Sequence, residues 1–191
     1  MGFSLCWLAV RGKVPEQILA DLDATHAGEV IEFGERPFGA RRLASGWYAV
    51  YAKQADHAWL HPDWLAALSG GAELIACRIE EHTMHASAEG WQGGERRWRV
   101  EHDAQQGRDH LLAEGSLPDA YTAVAAEMRL LQARGPGVDY LFELPLKLAQ
   151  RVTGFKHDEG DANGERRWHA LQHGPKTARA AVEKRPWWQF W

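Results

Sequence analysis

AELIACRIEEHTMHASAEGW (residues 72–91), ERRWRVEHDA (95–104) and DHLLAEG (109–115) follow one another with short breaks in the middle of the chain. Each is rich in residues that suit a pleated, half-buried surface. The joins, Gln92-Gly93-Gly94 and Gln105-Gln106-Gly107, are brief and carry glycine, as hairpin loops do. An antiparallel meander is therefore predicted here, and the rest of the chain is read as what packs around it.

Upstream, GFSLCWLAV (2–10) is an unbroken apolar run halted by Arg11-Gly12-Lys13, the mark of a buried strand. VPEQILADLDA (14–24) has Pro15 at a helix start and places Ile18, Leu19 and Leu22 on one side, which predicts a short amphipathic helix. GEVIEFG (28–34) and GWYAVYAK (46–53) read as strands joined by a polar link, and HPDWLAALSGG (61–71) as a brief helix closed by Gly70-Gly71. Downstream, SLPDAYTAVAAEMRLLQARG (116–135) has the strongest helical period. There Tyr121, Val124, Ala125, Met128 and Leu131 form one face, and Ser116 and Asp119 an imperfect capping box. VDYLFEL (138–144) is predicted to return as a strand and PLKLAQRVTG (145–154) to form a last short helix.

The expected fold is α+β: a mainly antiparallel mixed sheet of about seven strands with about four helices chiefly on one face. It occupies a core domain, residues 1–157, followed by a C-terminal arm, 158–191. At 191 residues, 45% apolar and 25% charged, the chain can enclose a core without a metal or disulfide staple. Cys6 and Cys77 lie in apolar runs and read as buried, inert thiols. A formal charge of −4 lacks the basic footprint of a nucleic-acid binder, so no nucleic-acid partner is expected. The N-terminus has neither a basic region nor a small-residue cleavage site, a myristoylation signal would need Ser or Thr where Cys6 stands, and no apolar run approaches the length of a transmembrane segment. A cytoplasmic location is expected.

EGWQGGERRW (89–98) and EGDANGERRW (159–168) are alike, but the likeness stops at their edges. A shared turn grammar explains them better than a duplication, with both copies at hairpin tips. The alternative is that Arg96-Arg97-Trp98 and Arg166-Arg167-Trp168 are paired platforms for an anion or a sugar. Ten tryptophans are present; Trp7, Trp47, Trp59 and Trp64 sit in predicted core elements. Trp187, Trp188, Phe190 and Trp191 form an aromatic terminus expected to dock on the core, with a partner protein or a membrane surface as the other destinations.

Three classes of site are open. If Gly93-Gly94 centres a hairpin, His85 falls opposite His102 with Glu81 farther along, a set that could hold a metal for hydrolysis. His82 and His85 are three apart in a predicted strand, so they should face opposite ways. No phosphate loop, dinucleotide fingerprint or nucleophile elbow occurs, and Ser45, Ser69, Ser87 and Ser116 have no evident histidine partner. The pairs Glu80-Glu81 and Asp158-Glu159 read as a solvated face. An aromatic-lined module for sugar or peptide is the third class.

Gly46-Trp47-Tyr48, Glu81-His82, Glu89-Gly90-Trp91, Trp98 with VEHD (100–103), and VDYLFELPLKLAQRVTGFKHD (138–158) together resemble a widespread group of small, uncharacterised bacterial cytoplasmic proteins, over most of residues 1–157. The resemblance carries over no catalytic residue. It implies a stand-alone α+β protein of the immunity or antitoxin type, with no cofactor and a protein partner, possibly a cognate toxin. On that expectation Glu80, Glu81, Glu101 and Asp103 supply charge against a cationic partner and Trp91 and Trp98 anchor it.

Overall fold

A computed structural model describes residues 2–135, 137–161 and 167–174. The elements in chain order are β1 (Ser4–Arg11), α1 (Pro15–Asp21), β2 (Ala24–Glu32), β3 (Phe38–Arg42), β4 (Tyr48–Ala52), a 3-10 turn (Ala58–Leu60) and α2 (Pro62–Ser69). Then follow β5 (Glu73–Glu80), β6 (His85–Gln92), β7 (Glu95–Asp103), a second 3-10 turn (Ala104–Gln106), β8 (Leu112–Gly115), α3 (Tyr121–Gln132), α4 (Tyr140–Thr153), β9 (Phe155–Lys156), β10 (Gly160–Asp161) and β11 (Arg167–His173). Nine strands form one sheet in the order β2-β11-β3-β4-β1-β5-β6-β7-β8, and β9 pairs with β10 in a separate ribbon. Every pairing is antiparallel. The class is α+β, as expected, with more strands than the sequence suggested.

The apolar run of the first strand fixes the centre. β1 lies in the middle of the sheet and is buried along both faces, so its residues feed two cores in alternation. Leu5, Trp7 and Ala9 belong to a core closed by α3 and α4. Cys6, Leu8 and Val10 belong to a second core closed by α1 and α2. The helices are therefore split between the faces, not gathered on one as expected. The two thiols follow the same split and are free; burial pushes Cys6 up to about 12 and Cys77 well above the usual thiol value, as inert core groups behave.

Three elements differ from the sequence reading. The segment 72–91 is two strands: Glu81–Met84 form the turn of a β5–β6 hairpin, with Met84 in a left-handed conformation (φ 52°). His82 thus sits in a turn and not in a strand. Residues 138–154 hold one helix, not a strand followed by a helix. Leu141, Phe142, Leu144, Leu148 and Ala149 are buried along α4, and burial of that stripe outweighs the strand-like composition and the one backbone bond lost at Pro145. Gly154, left-handed at φ 77°, closes α4 by donating its N–H to the Gln150 carbonyl. Finally, β11 inserts between β2 and β3, so the segment expected to be an arm from residue 158 contributes a strand to the main sheet. Trp168 is buried against Tyr51 and Phe155. The short β3 that receives β11 carries Gly39, where a Cβ would meet Tyr51 Cε1 at 2.6 Å. The aromatic terminus, Trp187, Trp188, Phe190 and Trp191, lies outside the described residues.

Asp158 and Glu159, read from sequence as a solvated face, are exposed and also gather on a buried cation. Lys156 Nζ lies 2.8 Å from Asp158, 2.9 Å from Glu143 and 3.3 Å from Glu159. Burial works against the ammonium, but these hydrogen bonds and charges outweigh it and hold its pKa above the ordinary lysine value. The cluster fastens the turn after α4.

Candidate functional site: an arginine and histidine cleft

The register of the β6–β7 hairpin decides which side chains meet. At the tip Gln92 faces Glu95 and Trp91 faces Arg96, but beyond it Gly90 faces Trp98. Arg97 is the extra residue of a bulge, its carbonyl turned to accept from the Ser116 N–H at 2.8 Å. One added residue shifts every later pair, so His85 faces Asp103 and Ala86 faces His102. His85 and His102 therefore lie on opposite faces and cannot share a metal, which corrects the expected His85, His102 and Glu81 set. Among the described residues no group of three His, Cys, Asp or Glu side chains is placed to hold a metal ion.

His102 belongs to the α3 and α4 face and is fully buried. Its Nδ1 lies 2.7 Å from the His110 carbonyl and its Nε2 3.0 Å from Asp139 Oδ2. Asp139 in turn accepts from Gln132 Nε2, and Gln132 Oε1 receives the Tyr140 N–H at 2.7 Å. The network ties β7 to the α3–α4 junction. Trp98 lies on the same face, buried over Gly90, where a Cβ would fall 2.0 Å from Trp98 Nε1.

The other face assembles much of what was singled out. Alternation brings Arg78 and Glu80 of β5, His85, Ser87, Glu89 and Trp91 of β6, and Arg96, Arg99, Glu101 and Asp103 of β7 to one side. Of the residues expected to meet a partner, Glu80, Trp91, Glu101 and Asp103 share this face. Glu81 sits in the β5–β6 turn and accepts from the Phe3 N–H, and Trp98 is on the far side. None of the four is a free surface group. Trp91 is buried and donates to Glu89 Oε2 at 2.9 Å. Glu80 accepts from Ser4 Oγ at 2.6 Å and lies 2.7 Å from His82 Nδ1. Asp103 caps the second 3-10 turn by accepting from the Gln105 N–H, and Glu101 is buried against Arg99.

Between this face and the Asp56–Leu65 segment opens a cleft of about 420 Å³. Arg78, Arg96 and Arg99 line it together with His57, His61 and His85, while Leu60, Pro62, Leu65 and Ala76 give it an apolar wall. Arg96 Nη1 is 3.4 Å and Arg99 Nε 3.5 Å from Glu89 Oε1, and Arg99 also pairs with Glu101. Arg78 is different in making no ion pair among the described residues; its Nε, like that of Arg99, is buried without a hydrogen-bond partner. His85 Nδ1 is likewise buried and unpartnered, and its Nε2 stands 3.6 Å from Glu101 Oε2, beyond hydrogen-bond reach. Burial, and next the charge of Arg78, lower the pKa of His85 below its ordinary value. The ring is therefore neutral near pH 7. Burial and then His173 lower His57 in the same way.

Buried polar groups without partners are costly. Three of them, on Arg78, Arg99 and His85, belong to residues that line this cleft around Ser87, and the Arg78 guanidinium gives it the cation of an oxyanion site. The platform reading of Arg96-Arg97-Trp98 is partly met: Arg96 reaches the cleft, but Arg97 is spent in the bulge and Trp98 in the opposite core. Most of the second copy lies outside the described residues. The sequence singles out His85 and Arg96 of this site but misses Arg78, whose one signal is a charge inside the apolar run LIACRI (74–79).

No family model, no curated protein and no solved structure matches the chain. Among the described residues no helix is long and apolar enough to cross a membrane.

Proposed function

We propose that this chain is a cytoplasmic, non-enzymatic binding protein whose recognition site is the arginine-lined cleft, and that it recognises an oxyanion, carboxylate or phosphoryl, beside a small apolar group. The observation that carries this reading is Arg78: a half-buried guanidinium with no carboxylate partner among the described residues, opening on a cleft with one apolar wall. The immunity or antitoxin-like role takes a changed form here. The charge offered to a partner is that of Arg78, because Glu80, Glu89 and Glu101 are engaged within the protein, the last two with Arg99. A toxin would then present an acidic side chain or carboxyl terminus to the cleft.

A charge-assisted hydrogen bond contributes about 1.5–3 kcal/mol, which corresponds to about tenfold to hundredfold in affinity. Sulfate is therefore expected to raise the melting temperature of the protein above that in chloride of equal ionic strength, and Arg78→Ala to lose that increment while unfolding cooperatively without sulfate. Equal stabilisation of both proteins by sulfate would remove Arg78, and with it the cleft, from ligand recognition.

A further inference from the structure

We propose that anion capture in this cleft is coupled to the uptake of one proton by His85. The inference rests on the cleft being an oxyanion site. His85 is positioned for the coupling by what surrounds it. Arg78 of β5 and Arg99 of β7 flank the ring with positive charge, Glu101 and Asp103 of β7 and Glu80, its direct partner on β5, with negative charge, and Glu89 lies farther along β6. Across the cleft stand Asp56, His57 and His61, with Arg96 at the hairpin end.

In the free protein burial, then Arg78 and more weakly Arg99, keep the imidazole neutral, so Nδ1 or Nε2 must lack a hydrogen. An anion seated against Arg78 and Arg99 cancels much of the positive field on the ring. Glu101, 3.6 Å from Nε2, then favours the imidazolium, and the second proton makes both nitrogens donors. Nδ1 is buried in the free protein, so the gain is electrostatic: the imidazolium places a positive charge beside the anion in the cleft that His85 lines. The proton comes from solvent, and no bond of the anion is broken.

The other two cleft histidines fit this role less well. His57 Nδ1 accepts from the Trp59 N–H at 3.3 Å and His61 Nδ1 from the Asp63 N–H at 3.4 Å. Protonation there would break a backbone cap and not create a donor to the ligand. His61 is also largely exposed, its side chain 63% accessible, which weakens any field from the cleft.

Linkage gives the direction. Below the depressed pKa of free His85 the ring is already protonated and affinity is highest and flat. As pH rises between the free and the anion-bound pKa, the dissociation constant increases by up to about tenfold per pH unit, and it levels off above the bound value. The test is calorimetric titration of the full chain with sulfate, which does not itself titrate in this range, in two amine buffers of different ionisation enthalpy from pH 5.5 to 8.5. Wild type is expected to take up close to one proton per sulfate where affinity is falling. His85→Gln, which keeps polar contacts but cannot titrate, is expected to bind sulfate with no proton uptake and a flat pH profile. Sulfate binding without proton uptake in wild type, or uptake that persists in His85→Gln, overturns the coupling and leaves the oxyanion site standing. A weak, non-saturating response that Arg78→Ala leaves unchanged overturns the site itself.

Discussion

Replacing His102 by alanine is expected to lower the unfolding free energy by about 3 kcal/mol, the upper end of the cost of leaving a buried hydrogen-bonding group without its partner. The imidazole is fully buried and joins the His110 carbonyl to the Asp139 carboxylate. Without it, the Asp139 carboxylate loses its nearest donor in a site where its side chain is only 14% exposed. The Gln132 amide that remains bonded to Asp139 also caps α4 through Tyr140, so the loss is felt at the α3–α4 junction as well as in β7. Urea unfolding measures it directly. In a cycle with Asp139→Ala, the double variant should lose less than the sum of the singles, because each single strands the other's partner. A His102→Ala protein as stable as wild type would contradict this structural role.

Trp91→Ala is the second large effect, about 3 kcal/mol, at the lower end of the range for deleting a core indole. The sequence assigns Trp91 to the surface as a partner anchor, where truncation would spare folding. In the structure it is 8% exposed, packs in the core under α2, and its Nε1–H is bonded to Glu89 Oε2. Truncation opens a cavity beside Leu74, its neighbour on β5, and also frees Glu89, the carboxylate shared by Arg96 and Arg99. Loss of stability by chemical denaturation should therefore accompany weakened sulfate binding. Retained stability with altered binding alone would restore the anchor reading.

Period and turn chemistry made the frame legible. The apolar run 2–10 gave its buried strand at the sheet centre, residues 121–132 their helix, and Gly93-Gly94 the tip of a hairpin. What escaped has identifiable physical causes. FGARR is too short and too polar to announce β3, whose partner β11 arrives from the other end of the chain. Val138, Tyr140 and Phe142 favour a strand locally, and Pro145 looks like a break, yet the apolar stripe on α4 wins through burial. The site turned on one residue. Counting outward from the tip gives His85 opposite His102, and the Arg97 bulge moves every pair by one. That shift sends His102 and Trp98 into one core and leaves His85 beside Arg78, Ser87 and Arg99 in the cleft. A bulge made by a charged residue in a run of arginines leaves no mark in composition or period.

The most direct measurement is of where an anion sits. Crystals of the full chain soaked in selenate, with diffraction recorded at the selenium edge, are expected to show an anomalous peak inside the cleft with a selenate oxygen about 3 Å from the Arg78 guanidinium. A well-ordered cleft without a peak, with selenate bound only at exposed lysines or arginines elsewhere, would contradict the assignment of this cleft as the recognition site.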